Sequence, residues 1–247
     1  MRLDVLLTLG ELVPGELAER TVVVLDVLRA SSSIVEALAS GARTLYPVGT
    51  IEEAIRLANT LGRDQTLLAG ERKALPIEGF DLGNSPVEFT SERLSGRMVV
   101  MSTTNGTLAL AAASAGGRVT VGSWLNFQAV VDDIVRSGAE PVFLCAGRDR
   151  AFGLEDAVCA GQLAAAVMAA RPDDTWELND GARAAIALAE AYPDPAAMFP
   201  QTTAGRAIID AGLGDDLAYC AQRDLRDVLP VLQDRQITVA PPAPAAS

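Results

Sequence analysis

Short, almost wholly apolar runs alternate along the chain with stretches of helical period. Residues 21–25 (TVVVL) have the unbroken apolar pattern of a strand covered on both faces. Residues 31–40 (SSSIVEALAS) carry a helical pattern that Gly41 closes. A strand at 44–48, a helix at 51–61 ended by Gly62, and a strand at 66–69 complete a β-α-β-α-β run. The same order then returns, with strands at 98–101, 119–121 and 141–145 and helices at 107–115 and 125–135. The alternation predicts an α/β fold in three layers, α/β/α, around a mainly parallel or mixed sheet.

The two runs are in step. Val23 and Val99, like Gly41 and Gly117, stand 76 residues apart; Ala54 and Ala129 are 75 apart, and Ala69-Gly70 and Ala146-Gly147 are 77 apart. Equivalent elements at a constant spacing predict two duplicated halves, residues 1–90 and 91–239, within one domain over 1–239. Further helices are expected at 156–170, 179–192, 202–213 and 215–223, and an edge strand at 236–239. Residues 240–247, which end in PPAPAAS, are expected to form a disordered tail.

Composition narrows the chemistry. Of the 247 residues, 49% are apolar but only 4% aromatic, so the core must be aliphatic. No histidine is present, which excludes phosphohistidine phosphatases, histidine-based triads and HExxH metal sites. A net charge of −12 argues against a nucleic-acid partner, yet local arginines or a bound cation can still attract an anionic substrate. Three cysteines, an odd count, suggest free thiols in a cytoplasmic setting. The first apolar run, broken by Asp4, is too short for a leader, and no uncharged apolar stretch reaches membrane length.

Ligands of parallel α/β sheets bind beyond the carboxyl ends of the strands, so the segments after each strand hold the candidate site. Asp26, Arg29 and Ser31 follow the first, where an aspartate suits a metal and an arginine with a helix start suits phosphate. Glu71 and Arg72 follow the third, and the loop GFDLGNSP brings Asp81 and Asn84. Ser102, Thr103, Thr104, Asn105 and Gly106 lead into a helix, a phosphate-cradling pattern without the lysine of a nucleotide-binding P-loop. Arg148, Arg150, Glu155 and Asp156 follow Cys145, but no arginine stands where a cysteine-phosphatase loop needs one. Asp26, Glu155 and Asp156 are the candidate metal ligands. Hard carboxylate oxygens favour Mg²⁺ over zinc.

The segments VVVLDVLRASSSIVEALASGA, GER, GFDLGNSPVE, STTNGT, CAGRDRAFGLEDAVCAG and GRAIIDAGLGDDLAYCAQRDLRDVLPVL, in this order over residues 3–239, resemble the 2-phosphosulfolactate phosphatase family. The resemblance implies a family-specific α/β fold and a Mg²⁺-dependent phosphatase. Its reaction converts 2-phospho-3-sulfolactate to 3-sulfolactate and phosphate, a step of coenzyme M biosynthesis. The positions matching its motifs are Asp26, Arg29, Glu71, Arg72, Asp81, Asn84, Ser102 to Gly106, Glu155 and Asp156; Arg148 and Arg150 carry less weight. In this reading Asp26, Arg29, Glu71, Arg72 and Asp156 are catalytic. Ser31, Asp81, Asn84, the 102–106 loop and Arg148 bind substrate, with Arg72 or Arg148 on its carboxylate or sulfonate. The alternative is a non-catalytic binding protein for small organic anions. Without histidine, a carboxyl group must serve as general acid, which favours activity below neutral pH. A homodimer is the base-rate expectation.

Overall fold

The computed structural model describes residues 1–13 and 15–240; the tail expected at 240–247 lies, but for Ala240, outside the described residues. The strands are β1 (Arg2–Leu6), β2 (Thr21–Leu25), β3 (Thr44–Pro47), β4 (Thr66–Arg72), β5 (Leu75–Pro76), β6 (Met98–Ser102), β7 (Arg118–Gly122), β8 (Pro141–Cys145), β9 (Glu177–Leu178), β10 (Pro230–Gln233) and β11 (Gln236–Val239). The helices are α1 (Ala30–Ala39), α2 (Ile51–Leu61), α3 (Ser91–Leu94), α4 (Gly106–Ala113), α5 (Phe127–Ser137), α6 (Leu154–Ala170), α7 (Asp180–Ala191), α8 (Pro195–Met198), α9 (Thr203–Asp210) and α10 (Asp215–Cys220). The α/β architecture and the mostly parallel sheet agree with the sequence pattern.

One sheet runs β5-β4-β6-β3-β11-β10-β7-β2-β8-β1-β9. Its order is symmetric when β2 is matched with β6, β3 with β7 and β4 with β8. The halves exchange their middle strands: β6 lies between β4 and β3, and β2 lies between β7 and β8. The β10–β11 hairpin separates the two parallel sets and pairs antiparallel with both. The sets therefore run in opposite directions. The strand expected at 236–239 is not at an edge but in the interior, next to β3 and β10. Its polar–apolar alternation reads as an edge in isolation; the hairpin turn, with Asp234 and Arg235 at φ 49° and 63°, returns it into the sheet. Strand β1 escaped the sequence reading because Asp4 interrupts it. Arg20 and Arg2 hold that buried carboxylate at 3.0 and 2.8 Å.

Strand β2 shows why the sheet needs cover on both sides. Val23 and Leu25 enter one core with α5, α6 and α7, whereas Val22 and Val24 enter a second with α1 and α4. That second core also takes Leu45, Val99 and Met101 from the opposite set of strands. Helices α1 and α4 therefore bridge the two sets, α1 touching β3 and β7 and α4 touching β2, β3 and β8.

Close packing of α6 on α7 rests on Gly161, where a Cβ would lie 2.0 Å from the Ala185 carbonyl oxygen. Backbone cannot yield like a flexible side chain. Gly161→Ala is expected to destabilise the fold by about 2–3 kcal/mol, read as a lower urea midpoint with an unchanged slope.

Candidate active site

The first turns of α1 and α4 meet. A Cβ at position 106 would stand 2.5 Å from the Ala30 Cβ and 2.8 Å from Asp26 Oδ2, so only glycine lets the two helices start this close together. The contact joins the loop after β2 to the loop after β6, although their strands belong to opposite sets. The loops after β4 and β8 complete a small cavity of about 80 Å³, lined among others by Asp26, Arg29, Glu71, Lys73, Asn84, Thr104, Asn105, Arg148 and Asp149.

Asp26 lies 8% exposed in its wall and, among the described residues, forms no ion pair. Its carboxyl is pushed up to about 7, first by burial and then by the Glu71 and Glu155 charges; the Ala30 N–H and Arg29 oppose the shift. Glu71 accepts from the Thr104 N–H at 2.7 Å and from the Ala74 N–H at 2.9 Å. The Asn105 and Gly106 N–H groups make no hydrogen bond within the described residues. Two further polar atoms of the lining, Asn84 Oδ1 and Thr104 Oγ1, are buried without a partner. Buried polar side-chain atoms are normally satisfied, so these two are places where a ligand completes the protein; the two free N–H groups are those that any helix start leaves open.

Several candidates from the sequence support the pocket rather than line it. Asp156 accepts from the Val27 and Gly147 N–H groups, both at 2.9 Å, and so ties the loops after β2 and β8 together. Each of its oxygens accepts one N–H group. Burial and then the Glu155 and Asp26 charges raise its pKa well above the usual carboxylate range. Glu155, raised chiefly by burial, faces the adjoining cleft with Arg148 and Thr202. Ser31 is buried, its hydroxyl accepting from the Asp26 N–H at 2.8 Å. Thr103 and Thr107 cap one another at the start of α4. Arg72 donates to the Ser102 hydroxyl at 2.8 Å and the Ser102 carbonyl at 3.1 Å, so both residues are turned to each other and away from the cavity. Asp81 stands apart, held by Arg63 at 2.9 Å and the Leu68 N–H at 2.7 Å. Arg150, like Asp149, has a positive φ, in a turn at the rim.

Arg29 lines the cavity, but Asp216 holds its guanidinium at 2.6 Å, with both side chains 2% exposed. Asp216 in turn accepts from the Ser85 hydroxyl at 2.5 Å, and Arg29 also donates to the Ala74 carbonyl at 2.8 Å. Sequence reading passed over Asp216, because an acidic pair at the start of a helix looks like ordinary dipole compensation. Lys73 and Asp149 were also missed, sitting in turns that looked like solvent-exposed links.

A single-sheet α/β protein whose strand-end loops crowd buried carboxylates, arginines and free backbone N–H groups around one small polar cavity is built as a phosphoric monoester hydrolase. Comparison with known proteins gives the family. The 2-phosphosulpholactate phosphatase family model matches residues 7–235. The chain is 40% identical to a Symbiobacterium thermophilum protein named probable 2-phosphosulfolactate phosphatase, over 91% of this chain and 96% of that one. Proteins of the same name from Carboxydothermus hydrogenoformans and Clostridium beijerinckii are 37% and 32% identical, over 93% and 96% of this chain and 92% and 99% of theirs. The chain belongs to the 2-phosphosulpholactate phosphatase family. No helix among the described residues is long and apolar enough to cross a membrane.

The raised carboxyl group makes stability depend on pH. Unfolded, Asp26 releases its proton near 3.8; folded, it keeps it to about 7. Between these values the native state binds the extra proton, so stability falls as pH rises through this window. Glu155 and Asp156 shift in the same direction. The metal-free protein is expected to melt at lower temperature at pH 8 than at pH 5.5. Asp26→Asn should flatten that slope and raise stability at pH 8 by roughly 4 kcal/mol at most. Gly106→Ala should lower the melting temperature at every pH, because the added methyl pushes on both Ala30 and Asp26.

Proposed function

We propose that this protein is a Mg²⁺-dependent phosphatase for the phosphate monoester of a small 2-hydroxy acid, with 2-phospho-3-sulfolactate as substrate and 3-sulfolactate and phosphate as products. The observation that carries the reading is the set of unsatisfied groups around one cavity: the Asp26 carboxylate beside Glu71, two free N–H groups, and two orphaned side-chain atoms. The names of the relatives supply the substrate.

The donor set fits the cation. Asp26 and Glu71 offer hard oxygens into the same cavity, and their mutual repulsion calls for positive charge. Among the described residues no three such side chains form a ready cage. Mg²⁺ does not need one, being usually held by one or two carboxylates together with substrate phosphate and water. Asp26 would hold it, with Glu71 alongside; Asp156, engaged by two N–H groups, keeps the loops in place instead. When bound, Mg²⁺ neutralises charge on the phosphoryl group and orients a water.

The chain's own contribution is binding and placement. The Asn105 and Gly106 N–H groups, at the positive end of α4, take phosphoryl oxygens and favour the charge that collects on them in the transition state. Arg29 presents a positive charge from the wall, its guanidinium held by Asp216 and the Ala74 carbonyl. Thr104 and Asn84 supply the remaining polar contacts. Glu155, whose pKa burial raises, is a carboxyl group next to the cavity and the candidate to protonate a leaving oxygen in a chain without histidine.

Purified protein is expected to release phosphate from 2-hydroxy acid phosphate esters with Mg²⁺ and to stop when the cation is chelated. Asp26→Asn should lose at least about 10²–10³-fold in kcat while remaining folded. Absence of phosphate release from every such ester, at any pH and with any divalent cation, would overturn the reading.

A further inference from the structure

The positive charge near the cavity is unevenly committed. Arg29 is held by Asp216 and the Ala74 carbonyl, and Arg72 by the Glu71 and Ser102 carbonyls and the Ser102 hydroxyl. Arg148 has only the exposed Asp149 at 3.9 Å as an ion-pair neighbour. Lys73 lines the same cavity and, among the described residues, has no carboxylate within ion-pair distance. It is also the only lysine in the chain; every other basic side chain is arginine.

The backbone fixes where Lys73 stands. It and Ala74 form the two-residue turn between β4 and β5, with φ 54° and 67°, left-handed values that non-glycine residues rarely adopt. Two residues of the cavity lock that turn from inside: Glu71 accepts the Ala74 N–H, and Arg29 donates to the Ala74 carbonyl. The other half of the chain repeats the device 76 residues later. There Asp149 and Arg150, at φ 51° and 64°, form the turn between the bridged residues Arg148 and Ala151. One turn from each half thus contributes a cation to the lining of a single cavity. A flexible ammonium beside solvent suits a hydrated carboxylate or sulfonate, whereas the free N–H groups at the start of α4 suit the phosphoryl group.

We propose that Lys73, together with Arg148, takes the second acidic group of a doubly anionic phosphate ester and so determines substrate specificity. This assignment rests on the phosphatase reading above. The sequence alone offered that part to Arg72 or Arg148; the Arg72 donors are turned to the Glu71 and Ser102 carbonyls and the Ser102 hydroxyl, and Lys73 joins Arg148 in its place.

Two measurements test it. The first compares kcat/KM for 2-phospholactate, which carries a carboxylate beside the phosphate, with that for p-nitrophenyl phosphate, which has none. Lys73→Met is expected to lower the ratio of the two by about tenfold or more, through KM, as the loss of one charged hydrogen bond implies. Lys73→Arg should restore most of it. An equal change for both esters, or none, overturns the proposal. The second measurement does not need turnover. Trinitrobenzenesulfonate can label only one ε-amino group in this chain, located by peptide mass. The phosphonate analogue of 2-phospholactate should slow that labelling and methylphosphonate should not; equal rates overturn the proposal. If the wild-type protein hydrolyses neither ester, the phosphatase reading is decided by the wider set of esters above, and the labelling alone decides whether Lys73 binds the second acid.

Discussion

The contact between the first turns of α1 and α4 is the constraint on which the site depends. These helices follow strands from opposite sets, and only a residue without a Cβ at position 106 allows their ends to touch. The same approach places Asp26 against the start of α4, where Thr104 and Asn105 line the cavity. A wider crossing would separate the Asp26 carboxylate from the start of α4.

Around that contact the protein gathers like charges that repel. Asp26, Glu71, Glu155 and Asp156 are all buried, and burial raises the pKa of Asp26, Glu155 and Asp156. The arrangement holds because the charges are handled differently. Asp156 and Glu71 receive backbone N–H groups, Glu155 sits beside Arg148 and the Thr202 hydroxyl, and Asp26 is left without a full partner. Such an unpaired carboxylate is a stability cost that a cation or a proton removes.

The duplicated pattern explains how two ordinary β-α-β-α-β runs make one site. Exchange of β2 and β6 between the halves prevents each half from closing its own sheet. Each half brings its first helix to the centre and a two-residue turn to the rim. The chain's acidity is then no obstacle to an anionic substrate, because the uncommitted positive charge, on Lys73 and Arg148, is placed at the cavity itself.

Local pattern determined much of this protein. The element order, the aliphatic core, and the polar segments at 26–31, 71–72, 84 and 102–106 all follow from apolar periodicity and from glycine and hydroxyl residues at strand ends, which act over a few residues. Absence of histidine likewise leaves carboxyl groups as the side chains for acid–base work near neutral pH. Tertiary structure alone decided which candidates face one another. Asp81 left the site for Arg63, Arg72 turned to Ser102, and Asp156 became a brace, because each met a partner more than ten residues away in sequence. It also brought in Asp216 and Lys73, and placed the strand at 236–239 inside the sheet rather than at its edge. Ion pairs and strand pairing across such separations depend on where the chain returns in space, and no local pattern of polar and apolar residues records that.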